Sequence, residues 1–109
     1  MKKLLCSLFA LSAVSTAMAQ EVNIKLLGTS DVHGRIVPWS YGADVEDKSG
    51  SYAQIATYVK DVRKNNKNVV LVEVGDAIQD NQVDVFAKDK KYYKDHPIPK
   101  VLNEMKYDV

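Results

Sequence analysis

Apolar and polar positions divide the chain after residue 20 into a short series of elements. Val22, Ile24 and Leu26 alternate with Asn23 and Lys25, and Leu27 follows, which predicts a strand ending near Gly28–Thr29. Ser51 with Gln54 three residues on fits a capping box. Behind it Tyr52, Ile55, Ala56, Val59 and Val62 recur at helical spacing, while Lys60, Asp61, Arg63 and Lys64 take the other face. That predicts an amphipathic helix ending near Asn65–Asn66. Val69 to Val74 is almost continuously apolar and β-branched, the signature of a parallel strand covered on both faces. Asp76 to Asp95 is polar and irregular, with one short helical turn around Val83–Ala87. Pro99 suits the first turn of a further helix, whose stripe is Ile98, Val101, Leu102 and Met105. Tyr107, Asp108 and Val109 read as the first residues of another strand.

Strand, helix, strand, helix and the start of a strand predict an α/β layer structure with right-handed parallel crossovers. A strand that begins at the last residues points to a piece of a longer domain. The first nineteen residues stand apart. Lys2 and Lys3 precede an uncharged apolar run from Leu4 to Val14, and Ala17-Met18-Ala19 meets the small-x-small rule for cleavage before Gln20. This is the pattern of a secretory signal peptide over residues 1–19, and the run is too short for a stable membrane anchor. Export to the periplasm or the medium is the expectation. Removing Lys2 and Lys3 turns the formal charge of +1 into −1. Such a balance gives no basic footprint for a nucleic-acid polymer. Cys6, the only cysteine, leaves with the signal, so the mature part has no disulfide.

Two polar clusters follow the two strands directly: Thr29 to Arg35, and Gly75 to Asn81. In a parallel sheet the carboxyl ends of the strands share one edge, and ligands bind there. Asp31, His33 and Asp76 are therefore expected to converge despite their separation in sequence. A carboxylate and an imidazole in Asp-x-His spacing suit zinc, manganese or iron better than metals selected by thiolates. A second carboxylate from the neighbouring strand end can serve two cations, the arrangement used in phosphoryl chemistry. Either cluster alone is an ordinary strand-to-loop turn; the pair, each placed after a parallel strand, is the signal.

The stretch Leu27-Gly28-Thr29-Ser30-Asp31-Val32-His33-Gly34 resembles the opening motif of the calcineurin-like metallophosphoesterases, in their 5′-nucleotidase and 2′,3′-cyclic-nucleotide phosphodiesterase branch. Val74-Gly75-Asp76-Ala77-Ile78-Gln79-Asp80-Asn81 resembles their second motif, Tyr52 to Lys60 the helix between, and His96 to Val109 the segment leading to a third, Gly-Asn-His-Glu. The resemblance implies the first βαβα portion of a layered metallophosphoesterase fold over residues 20–109, an incomplete domain. It implies two divalent metals (zinc, manganese, magnesium, calcium or iron) and a nucleotide or other phosphate ester as substrate. Asp31 and His33 would bind the first metal and Asp76 would bridge both. Much of the family continues Gln-Gly after the second-motif Asp, whereas this chain has Gln79-Asp80, so no role passes to Asp80 or Asn81.

Arg35 is a candidate for a substrate phosphate and, more simply, a structural arginine. His96, without a ligand-type neighbour at useful spacing, reads as structural. Trp39 and Tyr41 either line a cleft or cover the core edge. Lys88, Lys90, Lys91 and Lys94, interrupted by Asp89 and Asp95, read as a solvated face. The resulting expectation is an exported metal-dependent phosphoesterase in its full-length form, with the present piece alone inactive. The alternative is a non-catalytic truncated remnant with weak metal binding or none.

Overall fold

Two parallel strands carry the architecture. In the computed structural model, which describes residues 20–79 and 82–109, β1 (Lys25–Thr29) pairs in register with β4 (Val69–Glu73), from Lys25 opposite Val69 to Thr29 opposite Glu73. Between them run a small hairpin, β2 (Trp39–Ser40) and β3 (Val45–Glu46), and helix α1 (Tyr52–Asn65). After β4 come α2 (Asp84–Lys88), a 3-10 turn (Lys90–Asp95) and α3 (Pro97–Glu104). The signal-peptide reading of residues 1–19 and the pair Asp80–Asn81 lie outside the described residues. Among the described residues no helix is long and apolar enough to cross a membrane.

Helix α1 starts where its cap predicts. Ser51 is extended, and its Oγ accepts the Gln54 N–H at 3.4 Å. The Gln54 side chain turns to the Ser51 hydroxyl at 2.9 Å and to the Lys48 carbonyl at 3.3 Å, a variant of the expected box. The next donors of this first turn, Tyr52 and Ala53 N–H, go to the Arg35 and Ile36 carbonyls at 2.9 and 3.0 Å. The helix start thereby holds the chain that leaves the first polar cluster.

The core lies between α1, α3 and the loops. Val32, Tyr52, Val83, Ile98 and Met105 are buried together, with Ile55, Ala56, Val101, Leu102 and Tyr107 packed around them. α3 begins at Pro97, which leaves Pro99 in its first turn, and His96 caps it: its Nδ1 accepts the Ile98 N–H at 3.2 Å. The helix ends in a Schellman motif. Tyr107 N–H reaches the Leu102 carbonyl, Lys106 N–H reaches Asn103, and Lys106 itself is left-handed at φ 56°. The Arg63 guanidinium spans from α1 to donate to the Met105 and Lys106 carbonyls, both at 2.6 Å.

Beyond the motif the chain returns to the edge of β4 by two backbone bonds, but the strand expected at Tyr107–Val109 is not formed, and among the described residues this sheet stays two-stranded. Asp108 N–H donates to the Leu71 carbonyl at 2.8 Å, and Glu73 N–H donates to that of Val109 at 2.9 Å. A second expectation changes. The apolar run of β4 predicts cover on both faces, yet among the described residues only the face of Leu27 and Leu71 is closed. On the other side Leu26 is 70% exposed, beside half-buried Val70 and Val72.

Candidate metal centre

Thr29 and Glu73 end their strands side by side, so both polar clusters leave the sheet at one edge. The parallel ladder does not stop there. Val74 N–H donates to the Thr29 carbonyl at 2.9 Å, Asp31 N–H to Gly75 at 3.0 Å, His33 N–H to Asp76 at 2.9 Å, and Gly34 N–H to Ala77 at 2.7 Å. The two loops are zipped along their backbones. Val32 points into the core between the two candidate ligands and anchors the first loop.

Asp31, His33 and Asp76 share a rare conformation: φ is 56°, 49° and 56°. The left-handed region disfavours most side chains, and Asp and His are among those enriched there. Non-glycine residues held in it cluster at functional sites. Gly34 follows at φ 65°, and a Cβ there would overlap the Val83 side chain, so only glycine closes this turn.

The His33 ring is oriented by its neighbour. Nδ1 lies 3.2 Å from the Gln79 carbonyl oxygen, which can only accept, so Nδ1 carries the proton in that bond. In the neutral ring Nε2 then presents a lone pair, the tautomer a metal ligand requires. Nε2 faces Asp31 Oδ1 at 4.0 Å, and both side chains are partly open to solvent. Two acceptors facing one another across that gap fit a divalent cation of borderline or hard character. Asp76 lies one loop across, its backbone carbonyl bound to His33 and its residue exposed. The backbones of all three residues are thus brought together. Among the described residues, however, no three His, Cys, Asp or Glu side chains form a group that could hold a metal.

Arg35 is committed to its own loop. Its guanidinium contacts the Ser49 hydroxyl, the Gly50 carbonyl at 3.3 Å and Asp47 Oδ2 at 3.3 Å. The Ser49 side chain and backbone N–H hold the Asp47 carboxyl below its ordinary value against desolvation, with a lesser contribution from the Arg35 charge. These contacts give Arg35 a structural part in holding the loop. Trp39 and Tyr41 line an open cavity of about 510 Å³ with Arg35, Asp47, Asp84 and Lys88. His96 is structural, with Nδ1 used as the helix cap and its buried Nε2 lacking a hydrogen-bond partner. Lys88 pairs with Asp84 at 3.0 Å on the solvated face.

Three residues at the stems escape sequence reasoning. Thr29 Oγ1 donates to Glu73 Oε2 at 2.6 Å and lies 2.9 Å from the Tyr107 hydroxyl, while Glu73 Oε1 accepts the Gly75 N–H at 3.1 Å. The available signal was a polar residue ending each strand on its core-side face; the contacts themselves depend on strand register.

No family model matches the chain. It is 35% identical over 98 residues to the trifunctional nucleotide phosphoesterase protein YfkN of Bacillus subtilis, covering 83% of this chain and 7% of that protein. It is 33% identical over 108 residues to the 2′,3′-cyclic-nucleotide 2′-phosphodiesterase/3′-nucleotidase of Haemophilus influenzae, covering 94% of this chain and 16% of that protein. The chain therefore spans a small part of the length of either relative. The crystal structure of the calcineurin-like phosphoesterase YfkN from Bacillus subtilis matches it with a TM-score of 0.67 at 34% identity, over 78% of this chain and 27% of that one. The zipped loops after two parallel strands, the mixed α/β fold and these likenesses agree: the chain belongs to the calcineurin-like phosphoesterases, among the relatives of the nucleotide phosphoesterases.

Proposed function

We propose that the full-length protein is an exported, metal-dependent hydrolase of nucleotide phosphate esters, and that Asp31, His33 and Asp76 are metal ligands. The observation that supports this best is the zipped pair of loops, with all three residues left-handed and the His33 Nε2 lone pair turned to the Asp31 carboxylate. Asp31 and His33 would hold one cation, and Asp76 would share it with a second. Divalent cations in such a site supply charge against the phosphate and activate water at neutral pH. The chain's own part is orientation. Gln79 fixes the ring tautomer, Val32 and the Arg35 and Ile36 carbonyls hold the loop on α1, and Gly34 allows the turn. The names of the relatives point to nucleoside cyclic phosphates and nucleotide monoesters as the substrate class. The signal-peptide pattern of residues 1–19 supports export to the periplasm or beyond.

The test is hydrolysis of 2′,3′-cyclic AMP and of 5′-AMP by the full-length protein with Mn²⁺. Asp76→Asn lowers kcat/KM about 100-fold or more, beyond the usual loss on removing a mere outer partner, while Asp80→Asn costs far less. Equal losses at the two positions mean that the second motif is wrongly assigned. A second reading, a non-catalytic chain, is favoured by the lack of a three-ligand group among the described residues. A wild-type full-length protein inert with every divalent metal supports that reading.

A further inference from the structure

Thr29 and Glu73 stand at the same register on the core-side face of the sheet, at the points where the two ligand loops begin. A carboxylate at the end of an apolar strand is costly unless its oxygens are matched. Both are. Thr29 Oγ1 donates to Oε2 at 2.6 Å, and Gly75 N–H donates to Oε1 at 3.1 Å. The Thr29 hydroxyl has a single proton, given to Glu73, so its 2.9 Å contact with Tyr107 runs one way: the phenol O–H donates to Thr29 Oγ1. The result is a directed chain from Tyr107 through Thr29 to Glu73. One carboxylate thereby joins three stems. They are β1 ahead of Asp31 and His33, the Gly75 bend ahead of Asp76, and the segment that follows α3.

We propose that Glu73 is a positioning residue for the metal centre, fixing the spacing of the two ligand loops at their stems without touching metal or substrate. The inference rests on the metal-centre reading above. It depends on the acceptor-only character of the carboxylate. Glutamine has the same shape but no charge and only one acceptor oxygen, so Glu73→Gln either loses one of the two bonds or turns an N–H toward Thr29, which reverses that bond and leaves the Thr29 proton without its acceptor. Charge-assisted bonds are the stronger kind, so the two loops lose their common tie.

The experiment is calorimetric titration of the full-length protein with Mn²⁺ alone, beside thermal melts. Glu73→Gln weakens Mn²⁺ binding about 10–100-fold, the range for partners that orient ligands. Thr29→Val, which removes the donor and keeps the shape, weakens it too, and Thr29→Ser restores most of the loss. The Glu73→Gln/Thr29→Val double variant binds about as well as Glu73→Gln alone, because both changes break one contact. Unchanged affinity in Glu73→Gln, or losses that add in the double variant, overturns the proposal. Should Glu73→Gln fail to fold, the Thr29 pair decides: rescue by serine supports the tie, and equal binding by valine and serine overturns it. Wild-type protein that takes up no Mn²⁺ overturns the metal reading and this inference with it. Mn²⁺ binding that ignores Glu73 overturns the positioning role alone.

Discussion

A left-handed backbone at Asp31, His33 and Asp76 separates what these residues cost from what they do. The conformation disfavours any Cβ, and only glycine is free of the penalty. At Asp76 the side chain is exposed, so conformation dominates the stability effect of a substitution there. Asp76→Gly is expected to be more stable than Asp76→Ala by about 1 kcal/mol in urea denaturation. Equal stabilities would mean that residue 76 is not held left-handed in solution. The candidate ligands were legible in the sequence because each sits just past a strand whose apolar pattern is unmistakable. Their backbone strain was not legible, since nothing in Asp-Val-His states a φ angle. The Glu73 contacts were hidden for another reason: Thr29 and Glu73 lie 44 residues apart, and only the register of β1 on β4 makes them neighbours.

Among the elements, helix ends show how cap chemistry and pattern divide the work. α1 was readable at both ends, from Ser51 and from the polar Asn65–Asn66 pair. The end of α3 was not, because its C′ residue is Lys106 where glycine is usual. Its Schellman bonds form nonetheless, with Arg63 satisfying two further carbonyl contacts. Lys106→Gly is accordingly expected to stabilise the protein by about 1 kcal/mol, seen as a higher denaturant midpoint. A lower midpoint would show that Lys106 contributes more through its side chain than it loses in its backbone. The hairpin of β2 and β3 left no signal, since two-residue strands are too short to show a period.

At the scale of the whole molecule, one buried cluster ties the core to pH. Tyr52 is 1% exposed, and its hydroxyl has no hydrogen-bond partner. Burial, then the charges of Glu73 and Tyr107, push its phenol well above the ordinary value of 10.0. Burial pushes the Tyr107 phenol up as well, reinforced by the Glu73 charge. Unfolding releases both phenols to ionise near pH 10, whereas the folded state keeps their protons to higher pH. Their contribution to stability is therefore intact below pH 10 and lost as pH rises above it. Tyr52→Phe also removes an unmatched buried hydroxyl, so it folds at least as well near neutrality. Above pH 10 its stability should fall less steeply than wild type, by about 1.4 kcal/mol per pH unit. Parallel slopes would mean that the phenol is not held protonated by the fold. The α/β class was legible from the order of elements. Where the core sits was not, because the pattern placed helices on a sheet and much of the burial lies between α1, α3 and the loops.

Trp39 is the only tryptophan in the chain, and it sits in the hairpin, 39% exposed, on the wall of the open cavity beside Arg35. Its emission is thus a built-in optical reporter for that corner of the molecule. A solute entering the cavity alters quenching without any label. Glu73 lies outside that lining, so a purely local loosening of the loop stems leaves the spectrum quiet, and an emission shift in a Glu73 variant flags a disturbance that has spread to the hairpin.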